Sequence, residues 1–252
     1  LIIGVLRCVC FGDLLEQTFP TSAFAGSQEK GTIMNKKTML LALAVAAVFA
    51  LPSAASAQEI HFKNVTSFTG SGPASTFTAA NEPKISCTSS TVTGSFESGS
   101  TTTGTYHALY HGCTAEFLGI KGSCNTAGSP SGTITAVGTF HIITTPSNKP
   151  ATLYTWKTTT NLCIGFSRVE VTGNGVIGTI TSPACGASSK EMKVSLEAEG
   201  STQKHIEYTG TKYDLSADTE NEKGETTGAN GTAALSGSAT LSSATTGTLE
   251  CT

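Results

Sequence analysis

The chain reads as an all-β protein, an antiparallel β-sandwich or barrel of about ten strands behind a cleavable signal peptide. Three observations predict this. Serine and threonine make up 62 of residues 58–252. Apolar and polar residues alternate with period two in many short segments, and no long stretch after Ala57 carries a 3.6-residue apolar period. Six cysteines stand in the same part of the chain, an even number suited to three disulfides.

Met34-Asn35-Lys36-Lys37-Thr38 precedes an apolar run from Met39 to Leu51; Pro52 breaks the run, and Ala55-Ser56-Ala57 follows. A basic start, a short apolar stretch and an Ala-x-Ala site are the three parts of a secretory signal peptide. The run is too short for a transmembrane helix, which needs about 20 residues. Residues 34–57 are therefore expected to be removed after Ala57, which places the mature protein outside the reducing cytoplasm. Residues 1–33, with Cys8 and Cys10, then read as a translated leader ahead of the true start at Met34. Gln58 follows the cleavage site, which offers no cysteine for lipid modification, and no stable membrane anchor is expected.

Residues 58–252 form one secreted domain, with a subdivision considered at the Pro146/Pro150 stretch, residues 144–150. The strands expected in order are 60–67, 84–97, 101–111, 132–144, 151–159, a pair around Gly173-Asn174-Gly175, 192–199, 203–214, 226–236 and a last one ending near Cys251. Val169 and Val171 alternate with Arg168, Glu170 and Thr172; the run Val176–Thr181 then returns as the second arm of a hairpin. Met192, Val194, Leu196 and Ala198 alternate with Lys193, Ser195, Glu197 and Glu199, the pattern of a strand with one wet face. The polar segment Asp214–Gly231 reads as a mobile loop. Sequence proximity suggests the disulfides Cys113–Cys124 and Cys163–Cys185, each closing a hairpin, which leaves Cys87 with Cys251. Each would stabilise by about 2–4 kcal/mol.

Charge excludes one class of function. Fifteen basic and 18 acidic residues give a net −3, without the basic excess that nucleic-acid binding draws on. Catalytic patterns are weak. His107 and His111 would share a metal on a helix, but on a strand they stand ~13 Å apart, even with Glu116 close in sequence. No Gly-x-Ser-x-Gly elbow occurs in residues 58–252, and Glu197 with Glu199 reads as a solvated face. Asp214, Asp218, Glu220, Glu222 and Glu225 do not follow the spacing of a calcium loop. No cofactor or metal is expected. Thr-x-Thr recurs too irregularly for an ice-binding array, and the triplets at Asn64 and Asn230 are expected by chance in a threonine-rich chain.

Val-Glu-Val-Thr-Gly-Asn-Gly-Val-Ile-Gly-Thr-Ile-Thr (169–181), Cys87-Thr88-Ser89-Ser90-Thr91-Val92-Thr93-Gly94, His111-Gly112-Cys113, Cys124 and Ser131-Gly132-Thr133-Ile134-Thr135 together resemble a group of uncharacterised, Thr/Gly-rich exported β proteins of soil actinobacteria. The resemblance covers most of residues 58–252 and departs at Cys185. It implies a secreted bacterial β protein and brings no activity or site residues.

Three functions follow in order of expectation. The first is a non-catalytic structural or binding module at the cell envelope or outside the cell, so the chain is expected not to be an enzyme. The second is a secreted hydrolase with a scattered site, whose base would be His107, His111 or His141. The third is a carrier of a small apolar ligand, with Trp156, Tyr154 and Phe140 lining its cavity.

Overall fold

The computed structural model describes residues 60–80, 84–117, 119–163, 167–205, 207–220 and 226–252. The expected leader and signal peptide, with Glu222 and Glu225, lie outside the described residues. The strands in chain order are β1 (Ile60–Lys63), β2 (Ser67–Gly72), β3 (Ser75–Ala79), β4 (Lys84–Cys87), β5 (Ser89–Phe96), β6 (Thr103–His111), β7 (Thr114–Phe117), β8 (Ile120–Thr126), β9 (Ile134–Thr144) and β10 (Pro150–Trp156). They continue with β11 (Thr159–Cys163), β12 (Ser167–Gly173), β13 (Val176–Ser182), β14 (Ser188–Leu196), β15 (Ala198–Glu199), β16 (Thr202–Gln203), β17 (Glu207–Tyr208), β18 (Thr211–Lys212), β19 (Leu215–Glu220) and β20 (Thr226–Cys251).

The pairing is that of an eight-stranded antiparallel barrel. Each of its eight staves except the last is built from two strands: β2 with β3, β4 with β5, β6 with β7, β8 with β9, β10 with β11 and β12 with β13, consecutive in the chain, and β14 with β19, which an insertion separates. The last stave is the single long β20. Neighbouring staves pair in both halves, and β20 returns to β2 and β3 to close the circle. The first half-barrel comprises β2, β5, β6, β9, β10, β13, β14 and the C-terminal part of β20; the second comprises β3, β4, β7, β8, β11, β12, β19 and its N-terminal part. Closure removes the open edges that a sandwich leaves. β1 lies outside the circle, on the end of β20.

Alternation explains which side chains fill the barrel. Along β6, Tyr106 and Ala108 are buried while Thr105 and His107 are exposed; along β14, Met192 and Val194 point in while Glu191 and Lys193 point out. Apolar residues inside and hydroxyls and charges outside are the reverse of what a membrane-spanning barrel requires. In the first half, Phe68, Phe96 and Phe140 form an edge-to-face cluster, with Phe96 and Phe140 centroids 5.0 Å apart. Glycines opposite them make the room. Gly104 is the register partner of Phe140, and a Cβ there would stand 2.6 Å from the Phe140 ring. The core of the second half combines Ile85, Val169 and Leu215 with the small residues Ala79, Ala115, Ala217 and Ala233 and with two disulfides.

These disulfides correct the expected pairing. Cys87 bonds to Cys113, Cys124 to Cys163, and Cys185 to Cys251. Cys87, Cys113, Cys124 and Cys163 stand in one row across β4, the start of β7, β8 and β11. Cys113 and Cys124 do face each other in the β7–β8 hairpin, but Cys124 N–H donates to the Cys113 carbonyl. Hydrogen-bonded positions hold Cα atoms farther apart than the alternate positions do. The Cα atoms of the bonded pairs approach to 4.0 and 4.1 Å. Each cysteine therefore joins the neighbour on its other side. Cys251 is tied to Cys185 in the β13–β14 connection, not to Cys87.

Three further expectations are corrected. β12 and β13 do not form a hairpin; they are successive halves of one stave, β12 pairing with β11 and β19, and β13 with β10 and β14. Gly173 and Gly175, at φ 128° and 144°, bend the stave, and Asn174 ties it to Asp214 and Lys212. Segment 214–231 is not a loop: β19 occupies Leu215–Glu220 with Leu215 and Ala217 buried, and β20 starts at Thr226. Segment 203–214 is not one strand. It belongs to an insertion after β14 that carries two short hairpins, β15–β16 and β17–β18. Tyr208 and Tyr213 of this insertion cover an outward apolar patch of Ile143, Ala151, Leu153 and Ile177. The Pro146/Pro150 stretch is the turn between β9 and β10, where the Thr145 hydroxyl bonds Lys149.

Candidate functional site

The barrel encloses two apolar cores, one in each half, and a cavity of about 130 Å³ lies where they meet. All eight staves reach it, mostly near the point where one strand gives way to the next. The contributions are Ser75 and Phe77; Ile85, Cys87, Ser90 and Val92; Tyr106, Ala108 and Tyr110; Ile134, Thr135 and Ala136; Tyr154, Trp156, Thr159 and Asn161; Val171 and Val176; Val194 and Leu196; and the stretch Leu235–Leu241 except Thr240. An eight-stranded barrel has an interior that side chains can just fill. Here small residues face one another from different staves, Ala108, Ala136 and Ala239 among them, and the interior stays open.

The wall is chiefly apolar, with polar groups at a few points. Tyr106 and Tyr154 meet edge to face, with ring centroids 5.2 Å apart, and Tyr110 lies between the two cores. Burial raises the pKa of all three phenols, that of Tyr110 to about 12, so they stay protonated well above neutral pH. The Trp156 indole N–H is buried without a hydrogen-bond partner among the described residues. Asn161, 2% exposed, faces the cavity from β11, and its Oδ1 accepts the Thr126 hydroxyl at 2.9 Å. Among the described residues, no histidine, carboxylate, lysine or arginine lines the cavity.

The other candidate residues are scattered over the outside. His107 and His111 point outward from β6, His107 opposite Thr93 and His111 with its Nε2 3.2 Å from the Thr91 hydroxyl. His141 packs against Tyr208 of the insertion, and desolvation lowers its pKa. Glu197 pairs with Lys204, and Asp214 with Lys212 at 3.4 Å. Glu116 stands opposite Lys84 on β7, and Asp218 and Glu220 lie along β19. Among the described residues, no three His, Cys, Asp or Glu side chains gather as metal ligands. The structure thus brings together none of the histidines offered as a catalytic base.

Of the three aromatics expected to line a cavity, Trp156 and Tyr154 do so; Phe140 packs into the phenylalanine cluster instead. Tyr106, Tyr110 and Asn161 were missed. Strand alternation puts Tyr106 and Tyr110 on the face of Ala108, and Asn161 on that of Cys163, but which face points inward depends on the closed barrel.

No family model, curated protein or solved structure matches the chain.

Proposed function

We propose that this protein is an exported, non-catalytic binding module that holds one small, mainly apolar molecule in the cavity at the middle of its barrel. The cavity lined by all eight staves carries this reading. A concave apolar site with a few polar groups is the ordinary form of a small-molecule site. Among the described residues its wall carries no acid or base but tyrosine, which favours binding over hydrolysis, since hydrolysis needs a nucleophile beside a base. Export after cleavage at Ala57 accords with the three disulfides, which persist in non-reducing compartments. The likeness to exported actinobacterial proteins belongs to the same proposal.

The test is a titration of the full chain with toluene, followed through the fluorescence of Trp156, the single tryptophan. A saturable change and a rise in melting temperature are expected. Ala136→Leu, which fills the cavity, should abolish both while the variant still melts cooperatively. A toluene response that is absent, or that survives Ala136→Leu, would overturn the proposal.

A further inference from the structure

The polar groups of the cavity wall are unequal in kind, and this bears on what the site accepts. Thr126 Oγ1 takes the Thr135 backbone N–H at 2.8 Å, so its own proton goes to Asn161 Oδ1 at 2.9 Å. The Asn161 side chain is thereby oriented with its NH₂ end unpartnered among the described residues, on a residue that is 2% exposed and part of the cavity wall. An amide NH₂ can only donate. Tyr106 and Tyr110 make no hydrogen bond through their hydroxyls among the described residues, and their raised pKa keeps these as O–H donors. The lining therefore offers donors in search of an acceptor. The Trp156 indole N–H, in the same wall, is a further donor, buried with no partner among the described residues. An unpaired donor in an apolar wall is costly, and a ligand that supplies the acceptor recovers that cost.

Size and charge narrow the class further. A cavity of about 130 Å³ is close to the ~150 Å³ apolar cavity that admits benzene. It takes one ring and a short substituent, not a fatty acid. With no basic or acidic side chain in the wall among the described residues, an ionic ligand would be buried without a counter-charge.

We infer that the cavity selects a neutral, single-ring carbonyl compound, its ring among Val92, Ala136 and Val194 and its oxygen taking hydrogen bonds from Asn161 and Tyr110. This inference rests on the binding function proposed above. It adds the chemistry of the ligand.

Four probes of similar size test it by calorimetry on the full chain: acetophenone, ethylbenzene, benzoate and benzylamine. Acetophenone should bind at least tenfold more tightly than ethylbenzene, and its carbonyl stretch should move to lower frequency when bound. Asn161→Leu should bring the two affinities to within about threefold while ethylbenzene still binds. Tyr110→Phe gives an independent reading, with a partial loss of the preference, if Asn161→Leu does not fold. Equal or tighter binding of ethylbenzene, or tighter binding of benzoate or benzylamine, overturns the inference and leaves the binding function standing. No binding of any probe overturns both.

Discussion

The side-chain amide of Gln203 bonds the backbone of Leu235 on both sides, accepting its N–H and donating to its carbonyl, each at 3.0 Å. A second donation runs from Gln203 Nε2 to the Glu197 carbonyl at 2.9 Å. The pairing matters because the seventh stave is interrupted. β14 ends at Leu196 and β19 starts at Leu215, so β20 runs past a gap between them. One buried amide takes the part of the missing strand there, satisfying backbone groups that closure of the barrel leaves dry.

Gln203→Leu removes those bonds at nearly constant volume and strands two backbone groups. It should destabilise by about 2–4 kcal/mol, measured by urea unfolding, since each buried unsatisfied group costs about 1–3 kcal/mol. Gln203→Glu keeps the shape but not the donor pattern and should be destabilised as well. Wild-type stability in Gln203→Leu would show that the insertion does not support the barrel.

The disulfide row makes a covalent prediction. Peptide mapping without reductant should find Cys87 with Cys113, Cys124 with Cys163, and Cys185 with Cys251. Replacing both Cys124 and Cys163 by alanine should lower stability by about 2–4 kcal/mol, as loss of a loop-closing link does. A peptide joining Cys113 to Cys124 would contradict the hydrogen-bonded position of that pair.

The buried tyrosines set the alkaline limit of the fold. Their folded pKa values lie above the ordinary 10.0, that of Tyr110 at about 12. The protonated form is thus bound more tightly in the native state than in the unfolded chain. Stability from these groups is complete below pH 10 and is lost as pH rises from there through 12. Absorbance at 295 nm should show Tyr106, Tyr110 and Tyr154 ionising only together with unfolding. A smooth titration of all tyrosines near pH 10 in the folded protein would disprove their burial.

Thr152 is 1% exposed, and its hydroxyl, though near Tyr154, has no aligned hydrogen bond among the described residues. Thr152→Val replaces it with a methyl group of the same shape in a strand that favours β-branched residues. The variant should be more stable by about 1 kcal/mol, read from its urea midpoint. A loss of that size would mean that the hydroxyl is satisfied in solution.

Strand segments were legible where alternation was strong. Met192 to Leu196 and Thr103 to His111 read as strands because a pleated chain with one dry face leaves a period-two signature in any local window. The hairpin error at Gly173-Asn174-Gly175 has a physical source. A glycine pair around asparagine serves a tight turn and a bent stave equally well, and only the partners on either side, β11 and β19 or β10 and β14, tell which forms. The charged segment after Asp214 was misread because Leu215 and Ala217 are few and small, yet enough to hold β19 inward.

From residue types and short-range pattern alone come the all-β class, the even set of six cysteines and the outward placement of most charges, since each follows from composition or from a neighbour two positions away. Barrel closure, the partners of those cysteines and the open space between Ala108, Ala136 and Ala239 come from tertiary structure. They depend on which residues of distant strands stand opposite one another, and that register is settled by the whole circle of pairings at once.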